Sequence, residues 1–131
     1  MIGIKKENVE YSECLPEPYY IGLYWEYCYK ILLDGKEIGI MFLVDGENGS
    51  DYGNSDSIYI QWVEIQEEYR GKGYMRSMMD DLKKEFCEKK YVTAESSDDH
   101  LAMYLHLGFE VTARDEFREM NSIRCCIGGE K

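Results

Sequence analysis

The chain has 131 residues, 44% of them apolar and 31% charged, with 15 basic against 26 acidic side chains and a formal charge of −11. That length and balance describe one soluble globular domain, residues 1–131, able to bury about two-thirds of its unfolded surface. The charge argues against a nucleic-acid partner, whose phosphates would be repelled, and suits a cationic amine.

No apolar run reaches the roughly eighteen residues of a membrane span. The first residues, Met-Ile-Gly-Ile-Lys-Lys-Glu, lack the hydrophobic stretch of a signal peptide, so a cytoplasmic location is expected. The five cysteines (Cys14, Cys28, Cys87, Cys125, Cys126) are odd in number and have no Cys-x-x-Cys spacing, which indicates neither a disulfide framework nor a metal site.

Up to Tyr29 the chain offers few periodic signals. Pro16 and Pro18 mark a turn, and Tyr19, Tyr20, Tyr24, Trp25, Tyr27 and Tyr29 follow without an interleaved base before Lys30. They read as core strand or subunit interface more than as a base-stacking surface. Ile31 to Val44 reads as a hairpin, with Asp34-Gly35 as the two residues of a type I′ turn. Asp45 to Asp56, rich in Gly, Asn, Ser and Asp, is a solvated loop.

Ser57 to Ile65 has the β-branched and aromatic character of a strand. It runs into a basic turn, Arg70-Gly71-Lys72-Gly73. Met75, Met78, Met79, Leu82 and Phe86 then recur at three- and four-residue spacing, one face of a helix from about Gly71 to Lys90. Two glycines let a backbone bend and approach a ligand, and a helix N-terminus behind them presents N–H groups to a phosphate. The chain has neither the Gly-Lys-Ser/Thr of nucleotide hydrolases nor the Gly-x-Gly-x-x-Gly of a dinucleotide fold.

Tyr91 to Glu95 reads as a strand parallel to the one before the helix. Ser97 is placed to cap a short helix whose apolar stripe is Leu101, Tyr104 and Leu105, and Gly108 stops it. Phe109 to Ala113 and Met120 to Ile127 close the chain as two strands.

Two stretches, in this order and about thirty residues apart, carry a resemblance. Val63 to Gly73 is similar to the Ile-x-Val-x-Pro-x-Tyr-Arg-Gly-x-Gly segment of the GCN5-related N-acetyltransferases (GNAT), with Arg70-x-x-Gly73 in the place of their pyrophosphate motif. Ala102-Met103-Tyr104-Leu105-His106-Leu107-Gly108-Phe109 resembles their Ala-x-Tyr-x-x-Leu-Gly-Phe signature. The resemblance spans roughly Lys30 to Ile127. It implies an α/β fold, a mixed and mostly antiparallel sheet with a parallel strand pair at an acetyl-CoA cleft, and transfer of an acetyl group to a primary amine by direct attack in a ternary complex.

By the same resemblance the pantetheine arm follows the backbone of Val63, Glu64 and Ile65, with the Ile65 N–H as oxyanion donor. The amides of Arg70, Gly71, Lys72, Gly73, Tyr74 and Met75 take the pyrophosphate, and the charges of Arg70 and Lys72 add to the hold. Tyr104 is the acid that protonates the leaving sulfur, its phenol being a donor at neutral pH. Two positions depart from the family: its last Gly/Ala is Met75, whose bulk crowds the pyrophosphate unless it turns into the core, and its asparagine seven before the tyrosine is Ser97.

An alkylammonium of pKa about 10.4 leaves only about one molecule in a few thousand nucleophilic at pH 7, so a base or a desolvating site is needed. The family's glutamate four residues before Ile65 is here Gln61, which takes no proton. Glu64 is the candidate beside Glu26, Asp56 and Glu95, although strict alternation points it to the opposite sheet face from Gln61, Val63 and Ile65. The space before the second strand is short for the two helices that usually wall the acceptor site, which leaves that site open or completed by a second subunit in a homodimer. The acceptor is a polyamine-like or aminoglycoside-like small molecule or a peptide amine; a catalytically impaired acyl-CoA-binding or interaction module is the alternative.

Overall fold

The computed structural model describes residues 1–7, 25–46 and 56–127, and within them seven strands and two α-helices form a mixed, mostly antiparallel α/β fold. Pro16, Pro18, Tyr19, Tyr20, Tyr24, Cys14 and most of the acidic loop, residues 47–55, lie outside the described residues. The chain divides into two compact units, Met1–Val44 with Gln61–Glu85 and Asp45–Ile60 with Phe86–Lys131. The strand Ser57–Ile65 gives residues to both.

In the first unit the strands lie in the order β1 (Ile2–Glu7), β2 (Tyr27–Leu33), β3 (Lys36–Asp45) and the second half of β4 (Ser57–Ile65). β1, six residues that the sequence reading left unassigned, pairs antiparallel with β2 from Ile2↔Leu33 to Glu7↔Cys28. The β2–β3 hairpin turns at Asp34 (φ 51°) and Gly35 (φ 85°), the two left-handed residues of a type I′ turn, as expected from Asp-Gly. β3 is covered on both faces: Ile38, Ile40, Met41, Phe42, Leu43 and Val44 are all buried, which suits an interior strand with a continuous apolar run.

Helix α1 (Tyr74–Glu85) buries Met78, Met79 and Leu82, and Tyr29 Oη donates to Glu85 at 2.9 Å. It is shorter than its periodicity suggested. Gly71 (φ 76°) and Gly73 (φ 82°) are left-handed, so no helix forms until Tyr74. At the far end the Lys90 and Tyr91 amides both donate to Asp56 O, which takes the chain out of the helix and into the next strand.

In the second unit the order is β4, β5 (Tyr91–Ser97), β7 (Met120–Cys126), β6 (Glu110–Asp115). β4 and β5 are the parallel pair, in register from Ser57↔Tyr91 to Tyr59↔Thr93, and the other pairings are antiparallel. Helix α2 (Asp98–His106) packs on β5 and β7, with Gly108 (φ 103°) as the left-handed residue that ends it. The apolar stripe expected on α2 is not a core face: none of its nine residues is buried, and Leu105 is exposed. The buried apolar residues come just after it, at Leu107 and Phe109.

No helix of the described residues is long and apolar enough to cross a membrane, and the four described cysteines are free. Gly39 was not singled out in the sequence, yet it decides how closely β3 approaches β4. A Cβ there would run into the carbonyl oxygen of Glu64 and lie 3.0 Å from Cα of Ile65. Gly39→Ala is therefore expected to lower stability by about 1–3 kcal/mol. Gly3→Ala in β1, where a Cβ meets nothing within 4 Å, should stay within about 0.5 kcal/mol of wild type, both variants being read by urea titration.

Candidate active site

The residues singled out from the sequence fall into two groups, one in each unit. In the first unit Val63 and Glu64 are half-buried on β4 and Ile65 is buried at its end. Past Gln66 a single 3₁₀ turn, Glu67–Tyr69, leads to Arg70, which is extended (φ −81°, ψ 156°). Gly71, Lys72 and Gly73 are exposed, and Tyr74 and Met75 are half-buried in the first turn of α1. A Cβ added at Gly71 or Gly73 would meet nothing within 4 Å, so the space in front of this backbone is open. Glycine is needed there for its positive φ.

The first turn of α1 carries no acid, and its last turn carries Lys83 and Lys84. In a chain this acidic, that leaves the positive end of the helix dipole uncancelled where the turn opens. Such a turn can cradle a pyrophosphate, the part of acetyl-CoA that the resemblance assigns to it. Lys72 is exposed beside it.

Arg70 is engaged differently from the sequence reading, which gave its charge to the pyrophosphate. Its Nε donates to Ile65 O at 2.6 Å, and its Nη2 lies 3.5 Å from Glu64 Oε2. The next amide, that of Gln66, donates to Ile38 O at 2.8 Å, so the Ile65–Gln66 peptide is held on both edges. The other oxygen of Glu64, Oε1, is buried and has no hydrogen-bond partner among the described residues.

In the second unit Tyr104 lies on α2, half-buried, with its ring edge-on to Phe109 at 5.3 Å between centroids. The Phe109 amide donates to Tyr104 O at 3.0 Å, which closes the helix under the ring. Burial raises the phenol above its ordinary value of 10.0, so Tyr104 carries its proton throughout the neutral range. No described residue hydrogen-bonds its hydroxyl, which leaves that donor available.

Ser97 is the N-cap residue of α2 as expected, but its Oγ lies 3.1 Å from His100 Nδ1 and makes no capping bond to the backbone. Asp98 does more than supply acid to the first turn. Its carboxylate takes Arg114 Nη1 at 2.8 Å and Nη2 at 3.3 Å, and the Asn121 amide at 2.9 Å. Asn121, buried on β7, also donates to Ser96 O at 3.2 Å. The start of the helix that carries Tyr104 is thus tied to β5, β6 and β7. No sequence signal marks Asn121 or Arg114, which meet Asp98 only after the strands have paired.

Two of the other base candidates, Glu95 and Asp56, pair with cations. Glu95 accepts a bidentate pair from Arg118 at 3.2 and 2.8 Å, and Asp56 pairs with Lys90 at 3.9 Å. Among the described residues no group of three or more His, Cys, Asp or Glu could hold a metal ion.

In the first unit a strand, a turn of left-handed glycines and an open helix N-terminus follow one another on an α/β scaffold. The family model of the acetyltransferase (GNAT) domain matches residues 24–111, and the chain belongs to that family. Solved structures share the fold at low identity. A Bacillus subtilis acetyltransferase in complex with CoA matches with a TM-score of 0.71 and 14% identity, over 96% of this chain and 99% of that one. A GNAT family acetyltransferase from Elizabethkingia anophelis with acetyl-CoA bound gives 0.66 and 14%, over 95% and 97%. A spermidine N-acetyltransferase chimera from Vibrio cholerae and hSSAT gives 0.61 and 13%, over 83% and 70%. No curated protein matches the chain.

Asp98 is held below its ordinary 3.8 by the Asn121 amide first and by Arg114 second. Its stabilising contacts are therefore complete above the ordinary aspartate range and are lost as pH falls through the lower folded value. A carbon-detected NMR titration of Asp98 should find a midpoint below 3.8 in wild type and a higher one in Asn121→Ala, with the acid-induced loss of α2 amide protection moving to higher pH in step.

Proposed function

We propose that residues 1–131 are one acetyltransferase domain that moves the acetyl group of acetyl-CoA to a primary amine in a ternary complex, without a covalent enzyme intermediate. The observation that carries the reading is the turn of Gly71 and Gly73, left-handed and open in front, at the acid-free N-terminus of α1. Acetyl-CoA, when bound, supplies an acetyl group activated as a thioester.

The remaining work falls to this chain. The amides from Arg70 to Met75, with Lys72, hold the pyrophosphate; Val63, Glu64 and Ile65 line the pantetheine arm, with the Ile65 N–H as oxyanion donor. Ser97 takes the family's asparagine position at the start of α2. Tyr104 Oη, protonated and without a protein partner among the described residues, gives its proton to the departing thiolate. Glu64 is the carboxylate assigned to take the ammonium proton: Gln61 has no carboxylate, and Glu64 stands on β4 beside Ile65 with one oxygen, Oε2, 3.5 Å from Arg70 Nη2 and the other without a hydrogen-bond partner among the described residues.

The acceptor is a cationic small molecule or peptide amine in the cytoplasm. The net charge of −11 favours it, because an acidic surface raises the local concentration of amines. The structural neighbour named for spermidine fits a small amine acceptor. A second reading, acyl-CoA binding without turnover, is favoured by Gln61 and by Met75 where the family has a small residue. Amine-dependent release of CoA thiol separates the two.

Acetyl-CoA at a hundredfold above its Kd should add about 2.7 kcal/mol of stability, read as a rise of several degrees in a thermal scan. No rise at millimolar acetyl-CoA would remove the cofactor site. Tyr104→Phe should lower kcat by about tenfold or more with acetyl-CoA binding nearly unchanged. An unaltered kcat would take Tyr104 out of the mechanism. A phenol pushed above 10.0 also places any alkaline loss of kcat that it causes beyond that pH.

A further inference from the structure

Helix α2 carries Tyr104 without two of the usual means of holding a helix in place. It buries no apolar face, and the hydroxyl of its N-cap serine is engaged with His100 Nδ1 and not with a backbone amide. Its first turn is tied to the sheet through Asp98. Both carboxylate oxygens take Arg114, at 2.8 and 3.3 Å, and Oδ1 also takes the Asn121 amide at 2.9 Å. Asn121 is 4% exposed, and its side chain is used on every side: it also donates to Ser96 O at 3.2 Å and accepts Arg114 Nη1 at 3.1 Å. A buried polar network satisfied in this way fixes geometry as well as adding stability.

A bulge in β6 delivers Arg114 to this network. The strand first pairs with β7 as Glu110↔Arg124 and Val111↔Ile123, and from Ala113 it has slipped by one residue, to Ala113↔Ser122 and Arg114↔Asn121. Thr112 is the extra residue, and its hydroxyl donates to Ser122 O at 3.2 Å. Without the slip Ala113 would stand opposite Asn121, and Arg114 would point to the other face of the sheet, the face of Glu95 and its partner Arg118. Strand pairing alone does not call for the extra residue, since β6 and β7 pair on both sides of it. Its effect is to re-aim one arginine at the helix that bears Tyr104.

We propose that Arg114 and Asn121 are positioning residues for the proton transfer: through Asp98 they set the place of α2, and with it the place of the Tyr104 hydroxyl. The proposal rests on the acetyltransferase reading, in which Tyr104 protonates the departing thiolate, and deepens it by naming what aims that proton. Tyr104 lies about 9 Å along the helix from Asp98, and beyond it the chain is fixed again by the buried pair Leu107 and Phe109. With the Asp98 end released, α2 pivots on that pair and carries the phenol with it. A misplacement of about 1 Å can cost on the order of a hundredfold in rate. The glycine turn assigned to the pyrophosphate lies in the first unit and takes no residue from this network.

The test is steady-state kinetics on the full chain, read as CoA thiol release from acetyl-CoA with spermidine, butylamine or a lysine-containing peptide as acceptor. Asn121→Ala, and Arg114→Lys, which keeps the charge but loses the fork, should each lower kcat about fivefold or more with the KM for acetyl-CoA within about threefold. In a Tyr104→Phe background the same two substitutions should change kcat by less than about twofold, because the hydroxyl they aim is gone. A network that only stabilises the fold would lower kcat by the same factor in both backgrounds, and that result overturns the proposal. Wild-type kcat in both single variants overturns it as well, while a loss of kcat in Tyr104→Phe keeps the wider reading in place. Should melting curves show Asn121→Ala unfolded, Arg114→Lys decides the case. Wild-type kcat in Tyr104→Phe, or no transfer by wild type to any of the three amines, overturns the reading of Tyr104 as the acid and this proposal together.

Discussion

One peptide group, Ile65–Gln66, has both of its hydrogen-bonding edges spoken for. Its N–H is held by Ile38 O on β3 and its C=O by the side chain of Arg70, five residues further on. The close approach of β3 that this requires is available only because residue 39 has no Cβ. From that fixed point the chain can do little but turn: Glu67–Tyr69 makes a tight 3₁₀ turn, Arg70 extends, and two left-handed glycines deliver the backbone to the start of α1. The glycine turn is therefore set by the end of β4. The Arg70 side chain is more than half exposed, so its bond to Ile65 O belongs at the low end of the ~1.5–3 kcal/mol of charge-assisted hydrogen bonds. Its effect is one of geometry more than of stability.

The second unit solves its positioning problem by other means. Helix α2 buries none of its own residues, so apolar packing along the helix does not locate it. A polar knot at its first residue does, with Asp98 held by Arg114 from β6 and by Asn121 from β7, and Asn121 reaching on to Ser96 O. At its other end the buried pair Leu107 and Phe109 pulls the chain into the core and sets the Phe109 ring against Tyr104. The phenol thus sits half-buried on a helix fixed at both ends, and its burial keeps it protonated.

Much of this was legible in the chain because the signals are local. Asp34-Gly35 demands positive φ at two successive residues, Gly108 demands it after a helix, and the alternation of Ser57 to Ile65 belongs to a strand; each holds in the fold. The helix after the glycines was drawn too long, since spacing shows which residues share a face and not where the backbone leaves the helix. β1 was missed because six residues alternating among Ile, Gly, Lys and Glu carry too little pattern until β2 lies beside them. Gly39 had a signal that could have been used, an isolated glycine inside an apolar strand, which often marks a close backbone approach.

The sequence by itself determined the elements from the β2–β3 hairpin onward, the glycine turn and the two stretches that carry the family resemblance, because backbone conformation and motif spacing are written in neighbouring residues. The tertiary structure decided what the polar side chains do there: Arg70 folds back onto Ile65 and Glu64, Glu95 is taken by Arg118, and Asp98 becomes an anchor. Those pairings join residues up to 23 positions apart. A charge on a string of residues does not say which opposite charge the folded strands will bring within 3 Å of it, and that distance decides whether a side chain serves the fold or stays available to a ligand.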